Sequence, residues 1–301
     1  MWKFGSFSMN FHVSEYPSRP SEIRKVLPWV LDASQTEQLL SQGYTVIKNV
    51  IPADVVKKAL GHISSARKNE NYVLRNGSGL PSFYDAVQEA DQIMNLMTTS
   101  SLQRLLESIY DSEIEILGGA GQIAIRPVDE DLVKRGVDKH KRANRTAWHV
   151  DEGGSGKYVQ RPADFSLLVG VALTDSEGDV NSGQLNVWPG SHVKLHEALQ
   201  EHLRRDVEGI TPNVRFTEGR PDIGKPVRVC VLKGDVVLAH QRLGHCGGPN
   251  VVQERIMVYF RVRKSGHGNS NGVRERWMRG DGVWTGFDGL LRKKAELASI
   301  S

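Results

Sequence analysis

Apolar residues change their spacing about a third of the way along the chain. In the first third they recur at helical intervals. "SQTEQLLSQG" predicts a short helix with Ser34 as its cap, Glu37 completing a capping box and Gly43 ending it. "YTVIKNV" is rich in β-branched residues and reads as a strand. "IPADVVKKALGHISSAR" predicts an amphipathic helix. Pro52 sits in its first turn, and Val55, Val56, Ala59, Leu60 and Ile63 fall on one face. A further helix is expected near Ser101 to Tyr110. Residues 1–33 hold Pro17, Pro20 and Pro28 without sustained periodicity, the pattern of an extended arm.

From about Glu113 the spacing shortens. "IEILGGAGQIAIRP", "TAWHVD", "FSLLVGVALTD", "GQLNVWP", "VRVCVLKGDVVLAH" and "RIMVYFRVR" are short β-rich runs broken by Gly, Pro and Asp turns. Such spacing predicts an antiparallel sandwich or barrel rather than a parallel α/β sheet, with the early helices packed on one sheet from outside. The charged stretch from Val128 to Arg145 lacks strand pattern and is expected to be a lid or rim loop. "GLPSFYDA" is expected to place Phe83 and Tyr84 in another loop. The tail, residues 264–301, is Gly-rich with two tryptophans and is expected to cover one end of the barrel. No internal repeat is visible.

Composition narrows the classes without choosing among them. A chain of 301 residues can bury a sizeable core. It has no apolar run long enough to cross a bilayer and no recognisable secretory or transit segment at its start, so a cytoplasmic location is expected. Two cysteines, Cys230 and Cys246, make no disulfide framework. The net charge is +4, with basic excess concentrated in residues 126–145 and 261–294. No interleaved aromatic motif accompanies those patches, so nucleic acid is not the expected partner.

The chemistry begins at "TAWHVDEGG". On an extended chain, residues two apart point the same way, so His149 and Asp151 present an imidazole and a carboxylate side by side. A third ligand is available late in the chain, where "GDVVLAHQRLGHCGGPNVVQERIMVYFRV" carries His240 and His245. Two histidines and one carboxylate on one face of a metal leave positions open opposite, an arrangement suited to Fe(II) that must bind a cosubstrate and dioxygen. Arg255, ten positions beyond His245, is able to meet a carboxylate with two parallel hydrogen bonds. A dicarboxylate such as 2-oxoglutarate fits that pairing.

These stretches, in order, resemble the phytanoyl-CoA dioxygenase family of Fe(II)/2-oxoglutarate-dependent oxygenases. "QGYTVIKNVIPADVVKKAL" is similar to the family's opening strand and helix, and "WHVD" to its WHxD metal motif. "SGQLNVWPGSHVKLH" is similar to its Gly-x-Leu…Pro-Gly-Ser-His segment, and "HQRLGHCGGPN" with Arg255 to its distal histidine and carboxylate anchor. The likeness covers roughly residues 34–263, read as a single oxygenase domain with helices at 34–110 and a jelly roll from about 113.

The resemblance implies a mainly β fold, a double-stranded β-helix (a cupin-like jelly roll) with flanking helices. It implies His149, Asp151 and His245 as iron ligands and Arg255 on the distal carboxylate of 2-oxoglutarate. His240 then becomes a strand-end or pocket residue. Gln122 stands where relatives supply a polar contact to 2-oxoglutarate, whereas Gly170 replaces a tryptophan found in some members. Arg126, Tyr84 and Asn186 are further candidates for substrate contact. The implied activity is oxidation of an unactivated C–H bond of a small organic substrate with O2, releasing succinate and CO2. Halogenases of this general type lose the carboxylate ligand, and Asp151 speaks against that subclass. A zinc enzyme on a similar barrel and a non-catalytic binding module are the competing readings; the first gives Arg255 no task, and the second would usually have lost a ligand.

Overall fold

The computed structural model describes residues 30–69, 82–84, 87–98, 100–136, 148–151, 158–160, 165–178, 180–205, 213–215, 221–266 and 282–299. Most of the expected N-terminal arm, the second half of the charged stretch and the Gly-rich part of the tail lie outside these residues.

The first element is helix α1 (Ala33–Gln42). Its cap is Asp32 rather than Ser34: the Asp32 side chain accepts from the Gln35 backbone N–H, and Gln35 reaches back to the Asp32 N–H. The capping box is therefore displaced two residues toward the N-terminus from the expected one. Both Asp and Ser satisfy a helix start, and Asp32 captures the earlier turn. Gly43 ends α1 as expected, in the left-handed conformation at φ 81°. Strand β1 (Tyr44–Ile47) and helix α2 (Ala53–Asn69) follow, with Val56, Ala59 and Ile63 buried on the expected face.

Next come β2 (Ser82–Tyr84), α3 (Asp91–Thr98), α4 (Leu102–Tyr110), β3 (Ile114–Ile116) and β4 (Gln122–Arg126). The charged stretch opens with a short helix, α5 (Glu130–Lys134), capped by Asp129. Strands β5 (Tyr158–Gln160), β6 (Leu167–Ala172) and β7 (Leu185–Val187) precede α6 (Ser191–Arg205). The chain continues through β8 (Asn213–Arg215), β9 (Val227–Val229), β10 (Val236–His240), β11 (His245–Gly247) and β12 (Arg255–Lys264), then helix α7 (Asp288–Ala298).

The major sheet has the order β1-β10-β6-β12-β4-β2, with β3 pairing the far end of β12; the minor sheet is β11-β7-β9, and β5 pairs β8. The strand pairs are antiparallel. Residues 82–84, expected in a loop, form an edge strand instead, with Tyr84 opposite Ile123. Two sheets facing each other, with helices outside the larger, are the expected jelly roll.

Alternation builds two cores from one sheet. Ile123, Ile125, Leu167, Val169, Val171, Val236, Leu238, Ile256, Val258, Phe260 and Val262 pack against α1 to α4 and α7. Ala124, Leu168, Ala172, Val237, Ala239, Met257 and Tyr259 face the other way, against Leu185 and Val187 of the minor sheet. All six residues of β6 are consequently buried, which is why "LLVGVA" reads as a continuous apolar run.

Helix α7 belongs to the helical layer, where Phe287 stacks on Tyr110 at 5.1 Å and Arg292 pairs with Asp111. The tail also reaches the end of β10, since Trp284 and Phe287 pack on His240. Gly289 rests against the Ser108 carbonyl of α4, where a β-carbon has no room. Gly289→Ala is expected to push α7 away from α4 and cost about 1–3 kcal/mol of stability, seen as a lower urea midpoint. An unchanged midpoint would show that this close approach is not made in solution.

Candidate metal centre

Residues 148–151 form no extended strand; they touch β11 at a single bridge. The His149 N–H donates to the His245 carbonyl and the His245 N–H to the His149 carbonyl, each at 2.9 Å. This reciprocal pair places the two histidines side by side, with ring centroids 4.4 Å apart. Val150 turns the opposite way, into a small cluster with Trp188, Leu195, Ile223 and Cys246. Burying Val150 there directs its neighbours His149 and Asp151 together toward His245. The i, i+2 logic survives although the strand does not.

Ligand-capable atoms of His149, Asp151 and His245 lie within 4.8 Å of one another, the one such group of three or more His, Cys, Asp or Glu among the described residues. Asp151 Oδ1 stands 3.4 Å from His245 Nε2 and 3.8 Å from His149 Nε2. His245 Nδ1 lies 2.9 Å from the Leu243 carbonyl. Because a carbonyl only accepts, Nδ1 carries a proton and Nε2 is directed at the site.

The other late histidine is excluded by alternation. Val236 and Leu238 of β10 pack on the helical side, and His240, two residues on, points the same way. Its Nδ1 accepts from the Arg242 N–H at 3.0 Å, which leaves Nε2 to donate to the Val283 carbonyl at 3.0 Å. His192 shares this environment, its ring 5.4 Å from that of His240.

The electrostatics suit a cation. Burial pushes the His149 imidazole down to about 4, helped by nearby His245 and opposed by Asp151. Burial alone would raise the Asp151 carboxyl. The hydrogen bond from His245 and the charges of His245, Arg261 and His149 hold it below the usual carboxylate range instead. Burial would lower His245, but the hydrogen bond and charge of Asp151 raise it above an ordinary imidazole.

Strand β12 carries the remaining groups. Residues 255, 257, 259 and 261 share its interior face. Arg255 is buried, and its Nη2 donates to Tyr259 Oη at 2.8 Å and contacts Met257 Sδ. Its Nε has no hydrogen-bond partner among the described residues, and no carboxylate pairs with it there. Gly170 lies opposite Tyr259, where a β-carbon would stand 2.7 Å from Tyr259 Cε1. The tyrosine ring thus takes the space that a large side chain at 170 would need.

The other sequence candidates separate. Gln122 on β4 does reach the centre: its Oε1 accepts from Arg261 Nη2 at 3.2 Å. Arg126, at the base of the charged stretch, is buried inside, directly opposite Arg255 and packed over Gly247. Asn186 alternates with Leu185 and Val187, which face the interior, so it turns to the opposite face of the minor sheet. The side chain of Tyr84 lies outside the described structure. Sequence reading missed Arg261 and Tyr259. The signal was present in the two-residue alternation from Arg255, but nothing in the sequence marked β12 as the strand that passes the metal.

A family model for phytanoyl-CoA dioxygenase (PhyH) matches residues 39–256, a span that includes the triad and Arg255. The chain belongs to the phytanoyl-CoA dioxygenase family. It is a 2-oxoglutarate-dependent oxygenase, with iron as its metal and 2-oxoglutarate as cosubstrate. Solved structures sharing the jelly roll include SnoN, a non-heme α-ketoglutarate-dependent epimerase from nogalamycin biosynthesis. It is 20% identical at a TM-score of 0.53, covering 77% of this chain and 82% of that one. HygX from Streptomyces hygroscopicus, with nickel and 2-oxoglutarate bound, is 15% identical at 0.51, covering 79% and 88%. SnoK, a carbocyclase from nogalamycin biosynthesis, is 19% identical at 0.50, covering 79% and 89%. A search of curated protein sequences finds no match.

A divalent ion that took His245 Nε2 as a ligand would displace the proton that Asp151 helps His245 to keep. Co(II) affinity of the metal-free protein is therefore expected to rise with pH across the range in which His245 titrates, and to fall as acid restores the proton. Calorimetric titrations at several pH values read this directly. A pH-independent affinity would mean that no ligand proton is exchanged.

Proposed function

We propose that this oxygenase oxidises an unactivated C–H bond of a small organic substrate, a natural-product or carboxylate-bearing metabolite, with hydroxylation as the default outcome. In this reading His149, Asp151 and His245 hold Fe(II), Arg255 holds the far carboxylate of 2-oxoglutarate, and Gln122 offers its amide beside it. Dioxygen would supply the oxidising power for C–H cleavage at the bound iron, with 2-oxoglutarate giving two of the four electrons and leaving as succinate and CO2.

The observation that carries the cosubstrate assignment is the buried guanidinium of Arg255, which has no acidic partner among the described residues. A buried charge without a counter-charge costs about several kcal/mol, and proteins retain one where an anion will meet it. Arg255 sits on the interior face of β12, on the same row of alternating residues that reaches Asp151 through Arg261. Tyr259 accepts from Arg255 and fixes the direction of the guanidinium before a ligand arrives. Met257, Leu168, Ala172 and Val237 keep the surroundings apolar, which strengthens a charged pair formed there. The nogalamycin-pathway epimerase and carbocyclase on the same fold are in keeping with a natural-product substrate and with outcomes other than hydroxylation.

Anaerobic addition of Fe(II) and then 2-oxoglutarate to the metal-free protein is expected to give the weak visible band of the chelate. His245→Ala and Asp151→Ala should lose it, and His240→Ala should keep it. Retention of the band in His245→Ala would place the third ligand elsewhere. Arg255→Ala should weaken 2-oxoglutarate binding by about 2–5 kcal/mol, and Tyr259→Phe by less, since it removes only the orienting hydroxyl. An unchanged 2-oxoglutarate requirement in Arg255→Ala would move the anchor to another cation.

A further inference from the structure

We infer that Arg261 is a positioning residue for the metal centre, holding the outer oxygen of Asp151 so that one carboxylate oxygen alone is presented to the ion. The inference rests on the proposed ligand assignment. Arg261 Nη2 donates to Asp151 Oδ2 at 2.9 Å, while Oδ1 faces the two histidines. The two oxygens therefore have separate tasks.

A carboxylate free to rotate about its last bond can offer either oxygen or both. Two-oxygen ligation would occupy a position on the metal that the cosubstrate or dioxygen needs. A guanidinium fixed on Oδ2 opposes that rotation. Arg261 is itself well held. Its backbone lies in β12, opposite Leu168 of β6. The same Nη2 also donates to Gln122 Oε1, and the guanidinium carbon stands 5.7 Å from the centroid of the Phe165 ring. Phe165 is buried, so this platform cannot shift readily. The side chain is 26% exposed, as expected for a group at the inner edge of an open site.

Charge and geometry predict opposite signs, which makes the inference testable. A positive guanidinium beside a cation site repels the ion, so on charge alone its removal would tighten metal binding. If Arg261 acts by positioning Asp151, removal loosens it, by about 10–100-fold, as found for groups that orient metal ligands. The experiment measures Co(II) affinity by calorimetry, with the Co(II) absorption spectrum, for wild type, Asp151→Ala, Arg261→Met and Arg261→Lys. Weaker binding and an altered spectrum are expected in Arg261→Met, with partial recovery in Arg261→Lys, whose single ammonium reaches one acceptor but cannot hold the planar arrangement. Equal or tighter binding in Arg261→Met overturns the inference. Should that variant not fold, Arg261→Lys carries the test alone, and wild-type affinity in it overturns the inference. If Asp151→Ala leaves Co(II) binding unchanged, the ligand assignment itself has failed. If Asp151→Ala weakens binding and Arg261→Met does not, only the role of Arg261 has failed.

Discussion

Strand β12 must satisfy two environments at once, and the rest of the molecule is arranged around that requirement. Ile256, Val258, Phe260 and Val262 enter the core beneath the helices, while Met257 and Tyr259 line the interior between the sheets. Because side chains alternate strictly, a slip of one residue would put Arg255 and Arg261 into an apolar helix interface and expose the apolar row from Ile256 to Val262 to the site. The register with β6 and β4, read from Met257 opposite Ala172 and Ala124, is thus held by burial on both faces. Folding the core and aiming the arginines are a single event.

The site inherits its order from that strand. Arg255 is carried at one end of the row and Arg261 six residues further, each facing the interior for the same geometric reason. Asp151 ends the described run 148–151, which makes only a bridge, and three contacts place it: burial of Val150, the backbone pairing of His149 with His245, and the hydrogen bond from Arg261. A centre built this way has its polar groups oriented before any ligand binds, which is the arrangement that lowers the cost of assembling a metal and an anionic cosubstrate together.

Balance of charge in the interior follows a consistent logic. Asp151 is partly buried beside two histidines and one arginine, whose charges keep it ionised despite its surroundings. Arg255 and Arg126 lie cross-strand from each other, deeper along the same interior face, and Arg255 has no acidic partner among the described residues. Like charges placed opposite one another on adjacent strands are unfavourable. In the proposed reading, the far carboxylate of 2-oxoglutarate would give Arg255 its counter-charge.

Much of this was legible in the residues. Spacing disclosed the helical first third, the antiparallel remainder and the buried face of α2, because amphipathic periodicity records which side a segment buries. The pairing of His149 with Asp151 was legible because residues two apart face one way even where the chain forms only a bridge. Other features depended on partners distant in sequence. The cap of α1 is the exception, a local choice: Ser34 and Asp32 are both competent, and Asp32 closes the box with Gln35. Tyr84 and Asn186 were placed by strand pairings that local pattern does not announce: β2 joined the sheet edge, and alternation turned Asn186 away from the interior. His240 and His245 are equivalent as residue types. The family motif favoured His245, and the tertiary structure gives the physical reason, since β10 ends with its odd-even phase directed at the helices while β11 returns His245 to His149. Local sequence determines which way a side chain can point relative to its neighbours. Which surface lies in that direction is decided by long-range pairing, and here that pairing also brought Arg261 to Asp151.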